Sequence, residues 1–278
     1  MDSIGSQYSL SMMSKSGIGA ICLGETNTNW KHLYATKTFN SIMKKEWQHS
    51  THSTSFLDQG FKETNQPGGT ITLLSGNWTS KVIDKGSDPF GLGRWSFLTL
   101  RGCRGIHILI ITVYWVCTQT VASADPKTST AQQFRKLSEH YRLADYHNDP
   151  VPWHQFIVDL QAWIEHRIEQ GFGVILEMDG NKSLSSSHGS FTPLDFTLEK
   201  TIKKKGHDGS IATLIKTCRL CDPLLLQHSG VEPPPRTNGA RIKWTIYLSP
   251  HIYTPALCAP ESYPTTPFSY LTLLPGFW

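Results

Sequence analysis

A chain of 278 residues that is 38% hydrophobic, with nine Trp and twelve Phe, has the apolar content for one large α/β domain and is not an intrinsically disordered chain. Twenty-six basic against 22 acidic residues leave a net charge of +4, which permits a phosphate-bearing partner without demanding one. The longest apolar stretch, Ile106 to Val116, falls short of the roughly 20 residues a spanning helix needs. The opening MDSIGSQYSLSMMSKSG lacks the basic start and apolar run of a secretory signal, so the expected setting is intracellular, nuclear or cytoplasmic, with no membrane partner.

In chain order, Ile18 to Leu23 (IGAICL) reads as a buried strand ending at Gly24 and Glu25. Asn29 to about Glu46 is a helix or a loop, and 48–67, rich in Ser, Thr, His and Gln, reads as a surface loop. Gly68-Gly69 opens a second strand, TITLLSG. DPFGLGR (Asp88 to Arg94) is a turn, and Trp95 to Leu100 is a third strand. Ile106 to Val116 is continuous and β-branched, which predicts a central strand buried on both faces. Trp153, Phe156, Ile157, Leu160, Ile164 and Ile168 then follow helical spacing, and Gly171 and Gly173 end that helix. Val174 to Met178 is a strand running into Asp179, Gly180 and Asn181. Residues 182–210 read as a loop with at most one helix, and Lys200 with Lys203 to Lys205 as a solvated face rather than a nucleic-acid patch. Arg241 to Leu248 alternates as a half-buried strand, and no period is visible beyond Pro250. Cys22, Cys103 and Cys117 sit in or beside apolar runs as small hydrophobes. Cys218-x-x-Cys221, with His207 and His228 nearby, is half a zinc motif, short of the four closely spaced ligands of a structural site.

Four segments stand in one order: IGAICLGETNTNW (Ile18 to Trp30), QPGGTITLLSGNW with DPFGLGRWSFLTLRG (Gln66 to Gly102), HILIITVYWVC (His107 to Cys117) and VILEMDGN (Val174 to Asn181). A weaker fifth is PPPRTNGARIKWTIYLSPHI (Pro233 to Ile252). Together they resemble the endonuclease/exonuclease/phosphatase superfamily, metal-dependent phosphodiesterases of DNase I-like fold. The GGT and GRW elements are similar to those of retroelement-type endonucleases. The resemblance implies a two-sheet, four-layer α/β sandwich in a single domain, matched over 17–252 and unmatched over the tail 253–278. It implies that Glu25 binds Mg²⁺ or Mn²⁺, that Asp179 orients or deprotonates the attacking water, that Asn181 holds Asp179 or the phosphate, and that Tyr114 contacts the scissile phosphate. His228, Arg241 and Lys243 are candidate substrate contacts, and the implied partner is nucleic acid, DNA before RNA.

The sequence also departs from that pattern. The superfamily's early strand with an asparagine ahead of the glutamate has no counterpart, since Asn27 is the first asparagine. The superfamily's Arg-Ile-Asp reads Arg241-Ile242-Lys243, and its Ser-Asp-His is best placed on Phe268-Ser269-Tyr270-Leu271, with no histidine after His251. These departures imply a degenerate phosphodiesterase of mobile-element origin, incomplete at both ends through a truncated or shifted reading frame. A non-catalytic remnant with weak nucleic-acid binding and a small-molecule phosphatase are the alternatives.

Overall fold

A computed structural model gives the structure of residues 10–58, 63–102, 105–116, 125–145, 149–179, 209–221, 244–249 and 271–273. Its strands are β1 (Ala20–Gly24), β2 (Ser50–Ser55), β3 (Thr70–Ser75), β4 (Val82–Ser87), β5 (Trp95–Arg101), β6 (His107–Tyr114), β7 (Phe172–Asp179), β8 (Trp244–Leu248) and β9 (Leu271–Leu273). Beyond a helical stretch at 10–15, its helices are α1 (Leu33–Glu46), α2 (Ser129–Leu143), α3 (Pro152–Glu169) and α4 (Gly209–Thr217). One sheet runs β2-β3-β1-β9 and the other β4-β5-β6-β7-β8.

The layering follows from strand alternation. In β6, Leu109, Ile111 and Val113 face outward onto Phe156, Leu160 and Ile164 of α3 and Leu214 of α4. Ile110 and Thr112 face inward, toward Cys22 of β1 and Thr72 of β3. Both faces are covered, so the run shows no apolar–polar alternation and lies at the centre of its sheet, as its sequence predicts. On the far side, Phe39 and Met43 of α1 pack with Trp30 and Trp47 over Ile21, Leu23, Ile71 and Leu73. The result is the expected four-layer α/β sandwich: helix, sheet, sheet, helices. Among the described residues no helix is long and apolar enough to cross a membrane.

One expectation is corrected. The stretch 48–67 is not all loop, because Ser50–Ser55 is the edge strand β2, paired antiparallel with β3 from Ser50↔Ser75 to Ser55↔Thr70. Its polar side chains hid it, yet an edge strand needs only backbone pairing and one covered face. Here Ser53 and Ser55 are buried, and Ser53 Oγ donates to Gly86 O at 2.6 Å. Within the tail that the resemblance leaves unmatched, Leu271–Leu273 pairs parallel with Ala20–Cys22. The segment Asn29–Glu46 resolves into α1 after a short loop, and the unpredicted α2 starts at an N-cap where Thr128 accepts from Ala131 N at 3.3 Å. Of the expected strand Arg241–Leu248, residues 241–243 lie outside the described residues, as do Cys103, Cys117, and Lys200 with Lys203–Lys205.

One ion network fastens the β4–β5 turn to the helical layer. Arg94 is fully buried, with Nε donating to Asp88 Oδ2 at 2.6 Å, Nη2 to Asp88 Oδ1 at 3.0 Å and Nη1 to Asp159 Oδ2 at 2.6 Å. The guanidinium lies 4.6 Å from the Trp95 ring centre. Asp159 Oδ1 accepts from Gln155 at 2.7 Å, and Gln155 accepts from Tyr141 Oη at 2.7 Å, so the network reaches α3 and α2. Replacing one member leaves its partners charged and buried, the costly outcome for an internal ion pair. Arg94→Met is expected to lower unfolding free energy in urea by about 3–5 kcal/mol. A loss below about 1 kcal/mol, the scale of an exposed pair, would show that the network is dispensable.

Candidate active site

Three of the expected site residues come from different strand ends, and backbone contacts bring those ends together. Tyr114 and Asp179 end β6 and β7 and are register partners, with Trp115 N donating to Asp179 O at 3.1 Å. In-register neighbours on parallel strands point to the same side of the sheet. That side is the inward one, because Thr112, two residues before Tyr114, accepts a hydrogen bond from Thr72 of β3. Glu25 follows the last residue of β1. From there the chain is tied to the Gly68-Gly69 segment: Thr26 N donates to Gly69 O at 3.1 Å, Asn27 N to Gly68 O at 2.8 Å, and Gly68 N to Asn27 Oδ1 at 2.8 Å. Gly68 in turn lies against Tyr114. A methyl placed on Gly68 would come within 3.3 Å of Tyr114 Cε1 and 3.1 Å of Ser129 Oγ, and one on Gly69 within 2.8 Å of Ser55 O. Both glycines have φ +82, where other residues are strained. They let the Glu25 loop and Tyr114 close on each other.

Glu25 and Asn27 themselves adopt left-handed backbone, at φ +50 and +48. Such conformations cost of order 1–3 kcal/mol each and persist where the surroundings fix them. The two-way clamp between Asn27 and Gly68 supplies that fixation. Tyr114 and Asp179 are both buried, at 5% and 3% exposure. Asn181, His228, Arg241 and Lys243 lie outside the described residues.

The polar lining continues inward. Thr72 Oγ1 donates to Thr112 Oγ1 at 2.8 Å and lies 2.9 Å from Ser96 Oγ, to which Thr70 Oγ1 donates at 2.9 Å. Beside this chain of hydroxyls sits Glu177, in register with Thr112 and 0% exposed. Neither of its carboxylate oxygens has a hydrogen-bond partner among the described residues. Burial, and secondarily the charge of Asp179, push its pKa well above the ordinary carboxylate range, favouring the neutral acid. Burial also raises the thiol of Cys22, with Glu177 adding to the shift and a hydrogen bond to the Thr112 side chain opposing it. Sequence reasoning missed Glu177. Its signal was an acid within an apolar strand, at the same parity as Asp179.

A hard divalent ion such as Mg²⁺ takes one or two carboxylates and keeps several waters. Glu25 and Asp179, delivered by the two sheets to one end of the sandwich, suit that demand. No group of three His, Cys, Asp or Glu that could hold a metal gathers among the described residues. Of the half zinc motif, Cys218 is buried, and burial, then the charge of Glu165, raises its thiol to about 12. His207 and His228 are outside the described residues.

This architecture is found in solved structures. The catalytic domain of APE2 from Xenopus laevis matches 87% of this chain and 77% of that chain at 15% identity, with a TM-score of 0.50. A 3'-5' exonuclease (NExo) from Neisseria meningitidis matches 88% of this chain and 84% of that chain at 12% identity, TM-score 0.49. A humanized D. rerio TDP2 matches 91% of this chain and 75% of that chain at 12% identity, TM-score 0.42. The fold is thus a DNase I-like α/β sandwich, as in the APE2 catalytic domain. At these identities the likeness is one of fold. No family model matches the chain, and no curated protein matches its sequence.

The position of Glu177 has a measurable consequence. Its folded-state pKa is raised above the ordinary 4.5, so its stabilising neutral form is fully present below that value. Stability is then lost as pH rises toward the folded-state pKa, at up to about 1.4 kcal/mol per pH unit. Glu177→Gln, which keeps shape and removes ionisation, is expected to flatten this dependence, so that its Tm exceeds that of the parent by a margin that grows with pH above 4.5. Parallel Tm–pH curves for the two proteins would contradict the assignment.

Proposed function

We propose that this chain is an endonuclease-like phosphodiesterase domain acting on nucleic acid, DNA before RNA, of mobile-element origin and catalytically impaired. The observation that carries the reading is the register pairing of Tyr114 with Asp179 beside the strained Glu25 loop. Phosphodiester hydrolysis needs an oriented water, a donor to a phosphate oxygen and a carboxylate for a hard cation. In this reading Asp179 orients the water and accepts its proton, with Asn181 holding the carboxylate in place. Tyr114 donates to a non-bridging oxygen, and the burial of both groups excludes competing water. His228 and Arg241 would contact the substrate phosphates. Glu25 would hold Mg²⁺ or Mn²⁺, which when bound offsets the charge developing on the phosphate.

The second reading is a remnant that keeps the fold and binds nucleic acid weakly. It is favoured by Lys243, a cation where the resemblance calls for the aspartate that orients a histidine, and by Tyr270 and Leu271 in place of the Asp-His pair. Losing a positioned acid–base group of this kind lowers rates by about 10²- to 10⁴-fold. Glu177 adds to the case, since a second buried acid two residues before Asp179 disfavours charging both.

Plasmid nicking separates the two. The unaltered chain is expected to give at most slow Mg²⁺-dependent nicking, removed by Asp179→Ala. Lys243→Asp alone should not raise it, because no imidazole is supplied for the new carboxylate to orient. Fast nicking abolished by Asp179→Ala would overturn the impairment, and nicking unchanged by Asp179→Ala would overturn the site. Calorimetry is expected to show weak Mg²⁺ binding that Glu25→Ala abolishes, since an ion held by one or two carboxylates that keeps most of its waters gains little affinity.

A further inference from the structure

The loop that carries Glu25 leads directly into a surface unlike the rest of the sheet's helical cover. Trp30 Nε1 donates to Thr26 Oγ1 at 3.1 Å, and Thr36 Oγ1 donates to Trp30 O at 2.7 Å. The first turn of α1 is therefore fixed to the active-site end of the sandwich. On that turn Leu33 and Tyr34 are 64% and 68% exposed. With Phe39 and Met43 facing the sheet, the opposite side of α1 presents Lys37, Ser41, Lys44 and Lys45, all exposed. No Asp or Glu occurs from Thr26 to Lys45. Lys37 to Lys45 spans about 12 Å at the rise of an α-helix. A second exposed ring lies alongside. Phe90, 45% exposed, sits in the β4–β5 turn, whose Gly91 O accepts from Asp58 N at 3.0 Å, and Asp58 pairs with Lys31 at 3.0 Å. The Arg94 guanidinium, 5.4 Å from the Phe90 ring centre, backs that ring.

Exposed rings next to an acid-free lysine track match what an unpaired nucleic-acid strand requires: π-faces for bases and cations along the backbone. A duplex offers no free base faces, so the rings would be wasted on it. An acidic protein partner would use the lysines but has no particular need of a ring. Resting on the phosphodiesterase reading for the choice of DNA, we propose that the outer face of α1, from Tyr34 to Lys45, binds single-stranded DNA leading away from the strand-end crevice. Tyr34 stacks on a base, Lys37 and the last-turn lysines follow the phosphates, and Phe90 flanks the entry. Lys44 and Lys45 also complement the helix C-terminus, so Tyr34 and Lys37 are the discriminating residues.

The test is fluorescence anisotropy with a labelled oligothymidylate of about 20 nucleotides, the matching duplex and an oligouridylate of the same length. Tyr34→Ala is expected to weaken oligothymidylate binding about tenfold, whereas Tyr34→Phe, which keeps the ring, stays near the parent. Lys37→Gln should reduce the slope of log K against log salt by about 0.7, the value for one lost single-strand phosphate contact. Unchanged oligothymidylate binding by Tyr34→Ala and Lys37→Gln variants of parental Tm would overturn the proposal, as would tighter binding of the duplex or of oligouridylate. Oligothymidylate binding sensitive to Tyr34, in a chain without metal-dependent nicking, would sink the hydrolytic reading and leave this one standing. Nicking with binding indifferent to Tyr34 would do the reverse.

Discussion

A buried guanidinium sets the terms for the rest of this molecule. A guanidinium keeps its charge wherever it is placed, so enclosing Arg94 requires carboxylates in fixed positions. Asp88 meets it from the same turn and Asp159 from α3, and the chain of hydrogen bonds continues through Gln155 to Tyr141 on α2. The β4–β5 turn cannot move without breaking that set. Arg94 O also accepts from Tyr114 N at 2.9 Å, so the turn that answers the charge holds the end of β6 as well. The place where Tyr114 stops being strand and becomes site is therefore decided by an ion network on the other side of the sheet.

Between the sheets the interior is graded. Toward the start of β6, the layer is apolar, with Leu98, Leu100, Ile110 and Ile175 in contact. Toward its end the same layer becomes Ser96, Thr70, Thr72, Thr112 and Glu177. Hydroxyls bond to one another across the gap and so satisfy the rule that buried polar groups find partners. Glu177 finds none among the described residues, and an unpaired buried carboxyl is a stability defect unless neutral. A DNase I-like sandwich gathers strand ends at one side, which makes a polar gradient toward that side the natural place for chemistry. The left-handed backbone at Glu25 and Asn27 lies on that same side.

Fold and chemistry separate in this protein. The two-sheet architecture depends on apolar alternation and on a few fixed turns, and those tolerate wide divergence, as the 15% identity to the APE2 catalytic domain illustrates. Catalysis depends on single groups at single positions, and groups that act as one unit fail together. A domain can therefore keep a binding surface and a strand-end crevice after its acid–base groups have drifted.

The sequence by itself determined the central elements. The β-branched run of β6, the helical spacing of α3 and the strand VILEMD follow from side-chain period, which is a local property. It also marked Glu25, Tyr114 and Asp179, through segments whose order resembles a known pattern. Only the tertiary structure decided what depends on partners far along the chain. β2 is polar, and becomes a strand because β3 offers it a backbone edge; β9 has three residues, and becomes one because β1 does. The Gly68–Asn27 clamp joins residues 41 apart, and the burial of Glu177 needs β1 and β6 over it. No period or propensity encodes such contacts, because the free energy that fixes them is gained only when the distant segment is already in place.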